Sequence, residues 1–243
     1  MQYSEVTIND PNRIKRFLQR KRFEDALSLL PTDAQTSEIL DFGAGDGELA
    51  SRLLGKGYDC QVTCYEPSPD MRNQAAEKLK THSSKCQIVR ALDGISDGVF
   101  DVVYCLEVFE HLPKKEMDQA LLDIARVLKP AGMLIVGVPN ELYLAALYKG
   151  IFRMFRRYGE YDASPYNIWK SVLGSPPTSR PIGEISKGVS YHFHHLGFDF
   201  RCFAAKLKGT FNVRTVCSPF RLLPKSISPE LYFVATRSDI LKE

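Results

Sequence analysis

Three groups of residues in this sequence have the types and spacing to handle a ligand. The run Asp41-Phe42-Gly43-Ala44-Gly45-Asp46-Gly47 sets glycines at alternate positions behind an acid. Glycine lets the backbone come close to a ligand, and a helix opening there presents free N–H groups to an anion. Glu66 follows 19 residues after Gly47, and a carboxylate at a strand end can accept two hydrogen bonds from a ribose diol. Together they point to a nucleoside-containing ligand. A dinucleotide fingerprint would need its third glycine at position 48. That residue is Glu48, so the spacing argues against a dehydrogenase. The last group is Glu107-x-x-Glu110-His111 with Tyr191-His192-Phe193-His194-His195, which together hold four of the five histidines. Two hard oxygen ligands plus a nitrogen suit Mg²⁺ or Mn²⁺. Without a metal, His111 or His195 can serve as a general base near its ordinary pKa of about 6.5, or the later histidines can simply flank a helix start.

Alternating strand and helix patterns must position these groups. Glu38–Phe42, Gln61–Glu66, Cys86–Arg90, Val99–Cys105 and Met133–Val138 read as strands. Helical patterns lie between them, the signature of a parallel sheet of β-α units. The helix from Lys114 is expected to stop at Lys129-Pro130-Ala131-Gly132, because Pro and Gly cannot continue it. The alternation breaks over 141–190, where a helical pattern leads into a proline-rich stretch. That interruption reads as an inserted lid or binding segment. Asp199 can cap a helix through Lys208, and strands at Phe211–Cys217 and Leu231–Thr236 complete the pattern. The expected fold is α/β: a doubly wound, mostly parallel seven-stranded sheet, Rossmann-like, with a helical lid insertion between strands 5 and 6. Its parts are an N-terminal helical segment (1–35), a cofactor-binding core (36–140), the insertion (141–198) and the completion of the sheet (199–243).

Ile39-Leu40-Asp41-Phe42-Gly43-Ala44-Gly45-Asp46-Gly47 resembles the first motif of class I S-adenosylmethionine-dependent methyltransferases. Gly98–Val103 resembles their fourth strand and Leu128–Leu134 their fifth, so the resemblance covers about residues 36–140. It implies S-adenosyl-L-methionine as cofactor, with Asp41, Gly43, Ala44, Gly45 and Gly47 facing its methionine part and Glu66 its ribose. It also implies Leu92 or Asp93 beside the adenine, the Cys105-Leu106 backbone near the sulfonium, and an Arg before the first strand, here Arg22, on the carboxylate. The Glu107-x-x-Glu110-His111 run is similar to the O-methyltransferases of ubiquinone biosynthesis. It is also similar to the small-RNA 2′-O-methyltransferases, where this pattern plus a downstream His holds a divalent metal. That likeness makes Glu107, Glu110 and His111 candidate ligands.

Charge divides the chain. Residues 1–140 carry a net −4 and residues 141–243 a net +7, so the second part is the one to meet an anion. Within 142–157, Lys149, Arg153, Arg156 and Arg157 fall at helical spacing and are expected to share one face. Such a helix can lie on an anionic membrane, cover a substrate, or pack as a lid or dimer contact. Tyr158, Tyr161, Tyr166 and Trp169 follow as stacking candidates. No apolar run approaches the roughly 20 residues that span a bilayer. The first residues lack the pattern of a signal peptide, and the six cysteines contain no C-x-x-C pair, which suits a cytoplasmic protein. The expected activity is methyl transfer to a hydroxyl of a small molecule such as a sugar, quinone precursor or lipid-linked intermediate. The alternatives are metal-assisted RNA 2′-O-methylation and a non-catalytic scaffold.

Overall fold

The computed structural model describes residues 13–30, 37–186 and 188–237, and the signal-peptide expectation lies outside them. Seven strands form one sheet in the order β3-β2-β1-β4-β5-β9-β8. Those strands are β1 (Ser37–Phe42), β2 (Cys60–Tyr65), β3 (Cys86–Val89), β4 (Phe100–Leu106), β5 (Leu128–Pro139), β8 (Phe211–Ser218) and β9 (Glu230–Arg237). All neighbours are parallel except β9, which runs antiparallel to β5 and β8. This is the doubly wound, Rossmann-like arrangement expected from the sequence.

The strands are apolar on both sides because both faces are covered. Along β9, Leu231, Phe233 and Ala235 enter one core while Tyr232 and Val234 enter the other. Along β4, Val103 and Cys105 alternate with Val102 and Tyr104 in the same way. One core includes α4 (Lys114–Val127) and α7 (Phe200–Lys208). The other includes α1 (Arg13–Leu27), α2 (Glu48–Gly55) and α3 (Pro69–Lys78). The helix over 114–127 ends where Pro and Gly predicted, but β5 begins directly at Leu128, and the Lys129–Gly132 stretch is absorbed as a shift in its register with β4.

Helix α1 is fastened to the last two strands. The Tyr232 hydroxyl donates to the Arg22 carbonyl at 2.8 Å, Arg22 Nε donates to Glu230 at 2.8 Å, and the Ser218 hydroxyl donates to Asp25 at 2.7 Å.

The insertion holds more regular structure than its prolines suggested. After α5 (Tyr143–Arg157) come a short turn of helix at Tyr161–Ala163 and α6 (Pro165–Val172). A hairpin of β6 (Gly183–Ser186) and β7 (Val189–Tyr191) follows, turning near Gly188 at φ 81°. Proline at the first position of α6 starts that helix, because its missing N–H would have no intrahelical partner there. The aromatics Tyr166 and Trp169 therefore sit on a helix rather than in a loop.

The expected shared basic face of α5 needs correction. Lys149 and Arg153 turn inward onto Glu141, whose side chain is fully buried, with contacts of 3.1, 2.7 and 2.8 Å. Arg157 reaches the buried Asp162 at 2.6 Å. Arg156 and Arg157 are both exposed, while Lys149 and Arg153 are drawn in, so the four do not share one solvated face. Helical spacing put the cations on adjacent positions, but buried acids on neighbouring segments decided which way they point. No helix among the described residues is long and apolar enough to cross a membrane.

Candidate functional site

The order of strands reverses direction between β1 and β4, and ligands of doubly wound sheets bind outside the strand ends at such a point. A cavity of about 330 Å³ opens there. Its walls include Arg22, Asp41, Gly43, Ala44, Gly45, Glu66, Leu106, Glu107, His111 and His195. Residues from five separate stretches of the sequence thus meet in one space.

The glycine turn is built from the end of β1 upward. The Gly43 and Ala44 N–H groups both donate to the Tyr65 carbonyl, at 2.8 and 2.9 Å, which folds the chain back over β2. Gly43, Gly45 and Gly47 have φ of 79°, 54° and 78°, the left-handed region that side chains rarely adopt. A Cβ at Gly43 would strike Val108 at 2.4 Å, while one at Gly45 would meet nothing within 4 Å. Gly45 is therefore the point where the backbone lies open. Glu66 braces this turn: one carboxylate oxygen accepts the Gly45 N–H at 2.9 Å and the other the Ser68 N–H at 2.8 Å. Lone pairs remain on each oxygen for two further donors.

Asp41 is buried at the base of the turn, and its Oδ2 has no hydrogen-bond partner. Burial, with the negative charges of Glu66 and Asp46, pushes its carboxyl up to about 7. A buried acid held half-protonated at neutral pH suits an incoming ammonium. If Asp41 receives the cofactor's amino group, binding selects the ionised form and releases a proton. S-Adenosylhomocysteine affinity should then fall about tenfold per pH unit below 7 and level off above it. Calorimetry at pH 5.5–8 in buffers of different ionisation enthalpy reads this directly; a flat profile would remove Asp41 from that role.

Arg22 lines the cavity as expected, but two carboxylates already hold it, Glu230 at 2.8 Å and Glu107 at 3.3 Å. Cys105 is fully buried in the core beneath the cavity, whereas its neighbour Leu106 faces it. Leu92 is buried and Asp93 exposed, and neither is on the cavity wall. Pro67 and Met71, beyond the second strand, line it instead. Gly47 lies behind the wall as the cap of α2.

The second half of the site forms where the loop after β4 meets the loop after β7. The His192 N–H donates to the His111 carbonyl at 2.8 Å, and the His111 ring Nδ1 donates back to the His192 carbonyl at 2.6 Å. That bond assigns the proton to Nδ1 and leaves Nε2 with its lone pair. His111 Nε2 is 3.1 Å from His195 Nε2 and 3.7 Å from Glu110 Oε1. Tyr191 stacks flat on the His111 ring at 4.3 Å. One ligand atom each from Glu110, His111 and His195 falls within 4.8 Å of the others.

Neither oxygen of Glu110 has a hydrogen-bond partner although the side chain is fully buried. Burial and the neighbouring Glu107 push its carboxyl well above the usual range. Burial lowers the His111 ring to about 4 and holds the His195 ring well below the usual histidine range. Unpartnered buried carboxylate oxygens beside two neutral imidazoles are a donor set that a divalent cation fits. Glu107 is less well placed than the sequence suggested. Its φ is 56° and one oxygen is drawn to Arg22, so it stands outside the three-residue cluster.

Sequence reading missed Arg180, whose guanidinium donates to the carbonyls of both Glu110 and His194 at 2.5 Å and so joins the two loops. A single arginine in a proline-rich stretch carries no sequence signal. The carboxylate of Glu141 anchors the insertion through Lys149 and Arg153 and acts electrostatically on His195.

A sheet of this order, with a glycine turn and a bracing acid at the ends of its first two strands, is the arrangement that the resemblance to class I S-adenosylmethionine-dependent methyltransferases implies. Residues 40–136 match the family model described as a methyltransferase domain, and this part of the chain is such a domain. The chain is 30% identical over 130 residues to a ubiquinone biosynthesis O-methyltransferase of Rickettsia conorii, covering 52% of this chain and 43% of that protein. It is 33% identical over 138 residues to the 2-methyl-6-phytyl-1,4-hydroquinone methyltransferase of Synechocystis, covering 54% and 42%. It spans about half the length of the curated relatives it matches. Among solved structures, the small RNA methyltransferase HEN1 superposes with a TM-score of 0.62 at 18% identity, covering 93% of this chain and 26% of that one. That likeness concerns the fold.

Proposed function

We propose that this protein transfers a methyl group from S-adenosyl-L-methionine to a hydroxyl of a small molecule. The observation that carries this reading is that the glycine turn with Glu66 and the paired rings of His111 and His195 face one cavity, with the buried Glu110 carboxylate close to both rings. Glu66 holds the ribose, the glycine turn with Asp41 and Arg22 the amino acid part, and the backbone at Leu106 passes the sulfonium. The acceptor oxygen attacks the methyl carbon as the carbon–sulfur bond breaks, leaving a neutral thioether. Its proton passes to Nε2 of His111 or to His195, rings that burial keeps neutral at neutral pH. Holding the acceptor about 3 Å from the methyl carbon supplies much of the acceleration. Glu110, His111 and His195 would hold Mg²⁺ or Mn²⁺, with Glu107 nearby; such an ion lowers the pKa of a bound hydroxyl.

The test is an acceptor screen of sugars, quinone precursors and lipid-linked intermediates with radiolabelled methyl donor, with and without EDTA. Transfer to a hydroxyl is expected, and His195→Ala should lower kcat at least about a hundredfold with S-adenosylhomocysteine affinity unchanged. Activity indifferent to EDTA would remove the metal and leave the histidines as bases. Activity unchanged in His195→Ala would sink the assignment of this cluster.

The +7 half and the metal-like cluster favour a second reading, 2′-O-methylation of RNA. RNA binding that falls steeply with added salt would support it, since phosphate contacts release counterions. A scaffold without activity has no use for the open turn at Gly45 or the braced Glu66.

A further inference from the structure

Helix α5 turns its charge inward and its hydrocarbon outward. Lys149 and Arg153 on Glu141, and Arg157 on Asp162, fix its rotation from the inside. Gly150 locks it against α6, since a Cβ there would come within 2.6 Å of Ile168. The opposite side carries Ile151, Phe152 and Phe155, the last two 65% and 84% exposed. On α6, Tyr166 and Trp169 stand outward three residues apart, with Leu173 exposed at the helix's C-cap. The loop after β8 adjoins the same helix: the Ala145 N–H donates to Ser226 and the Tyr148 hydroxyl to Ile227. That loop exposes Phe220 and Leu222, the latter 98% exposed.

Cations edge this surface. Arg156, Arg221 and Lys225 are exposed, and Lys170 lies 5.5 Å above the Tyr166 ring. The acids of this half are largely withdrawn: Glu141, Asp162 and Glu230 are buried, Asp199 is bound by Arg201 and Glu160 lies 3.6 Å from Arg157.

We propose that this face docks on an anionic lipid bilayer. Its aromatic and aliphatic side chains enter the headgroup region while the cations at its edge meet lipid phosphates. Four physical points choose this occupant. Large exposed apolar patches mark interaction sites. The face cannot rotate inward to cover a substrate without breaking the buried ion pairs. A second copy placed symmetrically on it would set like charges against like. An RNA strand would stack on the aromatics but gain nothing from Ile151, Leu173 or Leu222.

Trp169 is the only tryptophan of the chain, so its fluorescence reports this face alone. The full chain is mixed with vesicles of phosphatidylcholine, with or without roughly a third phosphatidylglycerol. The expected result is a blue shift of Trp169 and pelleting with the anionic vesicles, at least tenfold stronger than with neutral ones and weakened by salt. The double variant F152S/F155S should lose at least about tenfold in vesicle affinity. Its melting curve and S-adenosylhomocysteine affinity should stay unchanged, which separates docking from folding and from the cofactor site. Three results would overturn the proposal: no shift and no pelleting with anionic vesicles at low salt; light scattering showing a dimer that F152S/F155S dissolves, without vesicle binding; or Trp169 quenching by single-stranded RNA where vesicles have no effect.

Discussion

Replacing Glu66 with alanine is expected to weaken S-adenosylhomocysteine binding at least about a hundredfold. Each hydrogen bond to a charged carboxylate contributes about 1.5–3 kcal/mol net, and two ribose hydroxyls would be lost together. The change also removes the acceptors of the Gly45 and Ser68 N–H groups, so the turn loses the brace that shapes it. Glu66→Gln keeps one acceptor oxygen but points an amide N–H₂ at a backbone N–H. It should lie between, with a loss of about tenfold. Titration calorimetry on both variants, with urea unfolding to confirm the fold, checks this. Binding by the alanine variant within about threefold of wild type would mean that the nucleoside sits elsewhere.

Arg153→Met should cost about 3–5 kcal/mol of folding stability, the second large effect. Burial pushes the Glu141 carboxyl up, but Arg153 and Lys149 outweigh it and hold the group well below the usual range. Removing Arg153 leaves a charge in a fully buried position with one remaining cation. Taking away both members in Glu141→Gln/Arg153→Met should restore most of the loss, because a buried pair contributes little beyond its own desolvation. Urea melts of the single and double variants supply the cycle. A single variant within about 1 kcal/mol of wild type would show that the pair is dispensable.

The cofactor half was legible because its chemistry is local. Glycines at 43, 45 and 47 fall at alternate positions of one short run, and the alternation of strand and helix fixes where Glu66 must fall. Periodicity likewise gave α7 from Asp199, whose carboxylate accepts the Arg201 N–H. The insertion was less legible because tertiary contacts decide it. Nothing in the spacing of Lys149, Arg153 and Arg157 says that buried acids at 141 and 162 will draw them inward. The hairpin of β6 and β7 is too short to show a period, and Arg180 acts through two backbone carbonyls that only the folded chain brings together. Glu107 is the instructive case. Its motif grouped it with Glu110 and His111, but Arg22, from 85 residues earlier, draws one of its oxygens away.

The seating of the first helix against the final strands has a consequence for how the molecule is made. A nascent chain that has emerged through β5 already possesses the glycine turn and Glu66. Arg22, however, takes its nearest anion from Glu230 on β9, and β9 must slide between β5 and β8 before either neighbour is complete. Arg22, a residue of the cavity wall, is thus held by an acid 208 positions further along the chain, so that part of the wall takes its final shape only once β9 is in place.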